Sequence, residues 1–181
     1  MTKFPTLKTS RCILEEFTDR HLTERYVSWL QDTEVTKFSE QRHKQHDFNS
    51  CRAYMQSFAN TGNYLIAIIA QNPSLGHIGN MSIYIDKKNE VADVGILLGE
   101  KSIWGQGYGV EVWEEICRFL VFTLKLRKVT AGTVATNAGM RGIMRRTGMI
   151  EDGKRTRQIL IDGNEVDVIY AALFRENVIN E

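Results

Sequence analysis

The sequence predicts a mixed α/β (α+β) domain, a central twisted mixed sheet of about seven strands flanked by about four helices. Three observations predict it. "NYLIAIIA" and "KVTAGTV" are short apolar runs of strand length. A strand, a helix and a strand follow one another between Val91 and Val134. Two pairs of runs are joined by polar turn sequences, "KKNE" and "DGN". With 181 residues, 43% hydrophobic and 25% charged, the chain can bury one core, so a single domain over 1–181 is expected.

Along the chain, "RCILEEF" alternates weakly and suggests the first strand. Thr18 and Asp19 can cap a helix whose Leu22, Tyr26, Trp29 and Leu30 recur at helical spacing. Asp47 or Asn49 can open a second helix, with Cys51, Tyr54, Met55 and Phe58 as its apolar face. "NYLIAIIA" fits a central strand buried on both faces and ended by "QNPSLG". "HIGNMSIYID" and "VADVGILLG" form a hairpin pattern around "KKNE".

From Gln106 the chain reads as helix, with Val110, Trp113, Cys117 and Leu120 facing away from the polar stripe Glu111, Glu114, Glu115 and Arg118. "KVTAGTV" then returns as a strand, which implies a right-handed crossover between parallel neighbours. A shorter helix begins near Ala138 and ends at Gly148, placed like a left-handed cap. "TRQILI" and "EVDVIYAALF" close the chain as a second hairpin.

The formal net charge of +1 excludes a strong whole-molecule field, and no long like-charge run marks a nucleic-acid or membrane-binding tail. "MTKFPTLKTSRC" lacks the apolar core of a signal peptide, and no apolar segment approaches the roughly 20 residues that span a bilayer. A cytoplasmic protein with neither nucleic acid nor membrane as partner is expected. Cys12, Cys51 and Cys117 are far apart and outside zinc spacing, so buried thiols and no metal site are expected.

In "IWGQGYGVEVWEE", Gly105, Gly107 and Gly109 alternate just before a helix, although Gly is a poor helix former. One reading is a phosphate cradle, in which glycines admit an anion to the helix's first N–H groups. The other is an ordinary strand-to-helix turn. A P-loop is excluded because Gly107-Tyr108-Gly109 supplies neither the lysine nor the Ser/Thr hydroxyl that the motif needs. A Rossmann fingerprint is excluded because Val110 stands where a small residue is needed and "KVTAGTV" lacks an acidic residue.

The stretch "ADVGILLGEKSIWGQGYGVEVW" resembles the strand-to-helix signature of the GNAT-superfamily N-acetyltransferases, Arg/Gln-x-x-Gly-x-Gly/Ala, with Trp104, Gly107 and Gly109 at the fixed positions. Trp104 departs from the usual Arg or Gln. The "WGxGY" form is similar to the branch with ribosomal-protein N-terminal, spermidine and bacterial amino-sugar acetyltransferases. "NAGMRGIMRRTGM" resembles the superfamily's Asn-x-x-Ser…Gly-Phe element, matching at Asn137 and Gly148 but carrying Met140 and Met149 for Ser and Phe.

The resemblance implies acetyl-coenzyme A as co-substrate. It places the pyrophosphate on Gln106, Gly107, Tyr108 and Gly109, with Trp104 and Gly105 shaping the entry. It runs the pantetheine arm along Leu97 and Leu98, puts Asn137 beside that arm where two parallel strands splay apart, and offers one of Arg141, Arg145 and Arg146, with Arg146 put forward, to the 3′-phosphate, the others forming a solvated cationic face. It also allows a homodimer.

Acetyl transfer to an amine needs a neutral amine, a polarised thioester carbonyl and a stabilised thiolate. Asp93 stands where many family members carry a glutamate and is the first candidate base. Glu100 is the second, with a surface pair to Lys101 as its alternative, and Asp167 the third. The general acid departs from the family: Met144 stands where Tyr is frequent and Met140 where Ser serves some members. Tyr170 or Tyr108 could substitute. For the acceptor side, Arg42, His43, Lys44, His46, Lys154, Arg155 and Arg157 suggest a cationic surround suited to an anionic small-molecule amine, for instance a nucleotide-linked amino sugar. The same charges can equally be solvated, and a protein N-terminal amine is the alternative acceptor. Met140 and Met144, which cannot donate a proton, leave a catalytically weak acyl-coenzyme A-binding module as an alternative of another class.

Overall fold

The computed structural model describes residues 3–176. Eight strands are hydrogen-bonded in the order β1-β2-β3-β4-β5-β6-β8-β7. They are β1 (Leu7–Lys8), β2 (Cys12–Glu16), β3 (Tyr64–Ala70), β4 (His77–Asp86), β5 (Val91–Leu98), β6 (Lys128–Val134), β7 (Ile150–Ile161) and β8 (Asn164–Phe174). The helices are α1 (Glu24–Gln31), the single turn α2 (Thr33–Thr36), α3 (Phe48–Gln56), α4 (Tyr108–Arg118) and α5 (Ala138–Arg146). The mixed sheet with flanking helices is the expected architecture; the eighth strand is the two-residue β1, too short to leave an alternating pattern.

The chain divides into two compact units: residues through Tyr84 with Ile96–Tyr108, and Ile85–Gly95 with the residues from Gly109 onward. In the first, β2, β3 and β4 pair antiparallel, and Ile66, Ala67 and Ile68 are fully buried, as a central strand requires. Tyr26, Val27 and Trp29 of α1 and Cys51 of α3 pack with Phe17, Leu22, Phe58 and Leu65 into one apolar cluster. Thr18 does not cap α1. It caps a single 3-10 turn, Asp19–His21, and α1 is capped by Thr23, whose hydroxyl accepts from the Tyr26 N–H. Of the two candidate openers of α3, Asp47 is the cap, accepting from the Ser50 N–H at 2.7 Å.

In the second unit, β5 and β6 run parallel, and their registered pairs stop at Asp93–Thr130 although Val94 and Gly95 continue the strand. That early stop agrees with the expected splay. β6, β8 and β7 are antiparallel neighbours. β7 starts at Ile150, earlier than "TRQILI" suggested, because its exposed first residues carry no apolar alternation. The positive φ of Asp162 and Gly163 closes the β7–β8 hairpin.

α4 begins at Tyr108 rather than Gln106, since Gly105 and Gly107 hold φ values of +75° and +84° that no right-handed helix contains. Val112 and Ile116 join Trp113 and Cys117 among its buried residues, Leu120 is buried just beyond its end, and Val110 is only half-buried. Gly148 has φ +73° just beyond α5, as its capping position requires. All three cysteines are buried, and burial pushes the Cys117 thiol up to about 12. Among the described residues, no helix is long and apolar enough to cross a membrane.

Candidate functional site

The glycine segment of the first unit is built from the end of β5 onward. Gly99 and Glu100 both donate their N–H groups to the Ile78 carbonyl, at 3.0 and 3.2 Å, which ends the strand. A side chain at Gly79 would collide with the Leu97 carbonyl, so the backbones approach closely here. Glu100 then caps a 3-10 turn, Lys101–Ile103, accepting from the Ser102 N–H at 3.1 Å. The Trp104 indole folds back and donates from Nε1 to the Leu98 carbonyl at 3.0 Å, although the side chain stays 39% exposed. The next residue, Gly105, has open space where a Cβ would stand, so its left-handed backbone alone demands glycine.

Gln106 is more occupied than expected. Its N–H donates to the Ile103 carbonyl at 3.2 Å and its side-chain amide to the Ser102 carbonyl at 2.6 Å. α4 follows at Tyr108, and the N–H groups of its first turn have no carbonyl one turn back within the helix, although Gly109 itself is buried. Arg11, which no sequence signal singled out, donates from Nη1 to the Gln106 carbonyl at 2.9 Å and lies 4.1 Å above the Tyr108 ring.

The two leading carboxylates differ sharply. Asp93, in the second unit, accepts from the Thr130 hydroxyl at 2.8 Å, and partial burial raises its pKa against the lowering effect of that bond. Glu100 has both oxygens engaged, Oε1 by Ser102 and Oε2 by Arg25. Those bonds hold its carboxyl below the ordinary range. Lys101 does not pair with it; it reaches Asp32 at 2.8 Å and Glu34 at 2.9 Å instead. The pKa of Asp167 is likewise lowered, by the Arg157 N–H at 2.8 Å and by Lys154 at 3.2 Å.

Asn137 caps α5: its Oδ1 accepts from the Met140 N–H at 3.0 Å and its Nδ2 donates to Thr133 at 3.1 Å. Each group retains capacity for one more partner. Arg146 is exposed on the last turn, and Met144 is buried. Gly132 leaves room for the Tyr170 ring, which a Cβ there would meet at 3.0 Å.

The expected cationic residues are largely answered within their own units. In the first, Arg42 meets Glu40 at 3.0 Å and the Ser39 carbonyl at 2.8 Å, while His43 is exposed. In the second, Arg157 faces Glu165 at 3.6 Å, and Arg155 lies 5.4 Å above the Tyr170 ring. Among the described residues, no group of His, Cys, Asp or Glu is set to hold a metal ion.

A family model described as an acetyltransferase (GNAT) domain matches residues 11–150. No curated protein matches the sequence significantly. Several solved structures share the fold. An acetyltransferase of the GNAT family from Bacillus anthracis superposes with a TM-score of 0.80 at 16% identity, covering 95% of this chain and 99% of that one. The spermidine N-acetyltransferase from Vibrio cholerae, in complex with CoA and spermine, gives 0.81 at 14% identity, covering 94% and 99%. The ribosomal-protein-S5-alanine acetyltransferase from Vibrio fischeri gives 0.77 at 11% identity, covering 96% and 98%.

Proposed function

The chain belongs to the acetyltransferase (GNAT) domain family, and from that premise we propose that it is an acetyl-coenzyme A-dependent N-acetyltransferase. Its acceptor in this reading is the primary amine of a small molecule such as a nucleotide-linked amino sugar. The observation that carries the reading is the segment Trp104–Tyr108, where the left-handed Gly105 and Gly107 bring backbone without side chains to the start of a helix. These residues fit a pyrophosphate: the cradle is backbone, its helix end is positive, and Arg11 adds a cation beside it. The CoA-bound Vibrio cholerae structure supports the same ligand class.

Acetyl-coenzyme A, when bound, supplies an acetyl group activated as a thioester. In the proposal, Asp93 takes the proton of the incoming ammonium at Oδ1 while the Thr130 hydroxyl fixes Oδ2. Its raised pKa brings it nearer the pH at which a base is effective. In the same proposal a backbone N–H near Leu97 or Leu98 polarises the carbonyl. Tyr170 is the candidate acid. Water also suffices, because a thiol of pKa about 8.5 leaves readily enough at neutral pH. Glu100, with both oxygens bonded, shapes the turn instead of taking a proton.

On the acceptor side, Arg155, stacked on Tyr170, leads over Arg42, His43 and Arg157 as the anion-facing residue. A second reading, acetylation of a protein N-terminal amine, is favoured by the pairing of Arg42 and Arg157 with nearby glutamates, which weakens the pull on an anion. A cytoplasmic location and a homodimer complete the proposal. A thiol-release screen against nucleotide amino sugars, polyamines, aminoglycosides and short peptides tests it. Turnover of an anionic small amine is expected. Turnover of peptides alone moves the assignment to the second reading. CoA binding without turnover of any amine reduces the protein to an acyl-coenzyme A-binding module.

A further inference from the structure

We propose that Arg11 is a positioning residue for the phosphate-bearing end of the cofactor, a strut that holds the glycine segment in its binding shape; this rests on the cofactor reading above. The guanidinium touches consecutive residues of the segment. Nη1 binds the Gln106 carbonyl, Nη2 lies 3.5 Å from the point where a Cβ at Gly107 would sit, and Cζ stacks over Tyr108. It therefore grips both residues that flank the left-handed Gly107.

The segment needs such a tie. Glycines at 105 and 107 visit both hands of φ space almost equally, so an untethered loop would lose much conformational freedom on meeting a ligand. The other end of the strut is rigid: the Arg11 carbonyl accepts from the Gln71 N–H at 2.7 Å, and β2 follows immediately in register with β3. A planar fork suits this double role of carbonyl donor and ring stacker, and a lysine ammonium cannot reproduce it. The same group sets a permanent positive charge beside the amides of Gly107 and Tyr108.

The consequence is selective. Arg11 acts on the segment that meets the phosphates, so removing it weakens ligands that carry them and spares the pantetheine portion alone. Isothermal titration of CoA and of pantetheine into the full chain, wild type, Arg11→Ala and Arg11→Lys, tests this. Both variants are expected to bind CoA about tenfold or more weakly, with pantetheine affinity moving less than about twofold. Tyr108→Leu, which removes only the stacking partner, is expected to weaken CoA several-fold and provides the test should Arg11→Ala fail to fold. Unchanged CoA affinity in the Arg11 variants, equal losses for both ligands, or a lysine variant as tight as wild type would overturn the proposal. Wild-type protein that binds no CoA would instead remove the cofactor reading, and this proposal with it.

Discussion

In the first unit, the segment Trp104–Tyr108 takes its shape from backbone angles and from ties by Trp104, Gln106 and Arg11. In the second unit, the hairpin of β7 and β8 presents charged side chains that mostly answer one another, Lys154 with Asp167 and Arg157 with Glu165. Both regions suggested a ligand. The difference teaches that a site made of backbone announces itself through residues that have no other use, whereas exposed charges find partners at short range and largely lose their meaning as a field.

The largest expected effect separates the two carboxylates of β5 and its end. Asp93→Asn should lower the acetylation rate by about 10²–10⁴-fold and flatten the acid limb of the pH profile. An unchanged profile would remove Asp93 as base. The two groups should also oppose each other in stability. The folded-state pKa of Asp93 is raised, so the folded chain holds its proton longer and stability falls as pH rises through the window above the ordinary value of 3.8. The pKa of Glu100 is lowered, so its contribution is complete above the ordinary value of 4.5 and is lost as pH falls through the folded value.

Next in size is a matched glycine pair. Gly107 and Gly163 have similar left-handed φ values, +84° and +78°, in the two regions under comparison. Gly107→Val should weaken CoA binding by about 10- to 100-fold, the equivalent of one strained residue. Gly163→Val should lower the melting temperature while leaving CoA affinity unchanged. Equal losses of affinity would erase the distinction between segment and hairpin.

Smaller again is the acceptor test. Neutralising Arg155 and Arg157 together should raise the acceptor KM several-fold and leave the cofactor KM unmoved. Equal effects on both would argue against an anionic acceptor. The smallest is Glu100→Gln, expected to cost at most about 1 kcal/mol of stability by urea unfolding at pH 7, because the Arg25 pair is partly exposed. A rate loss as large as that of Asp93→Asn would return Glu100 to the list of bases.

The strands and helices were legible wherever burial imposed a period: "NYLIAIIA" is buried along most of β3, and the turn residues around Lys87–Glu90 lie between β4 and β5 as read. Helix starts were less legible, since Thr18 and Thr23 are the same residue type and both cap, the first a 3-10 turn and the second α1. The glycines could be read because their angles are local. Arg11 could not, because it lies 95 positions from Gln106 and only the fold brings it there. The pairing of Lys101 with Asp32 and Glu34 was hidden for the same reason.

The most direct measurement is an amide NMR titration of the full chain with CoA. The account predicts that the resonances of Gly107, Tyr108 and Gly109 shift most, with Gly105 following. Shifts concentrated at Arg155 and Arg157, with those four amides unmoved, would contradict it.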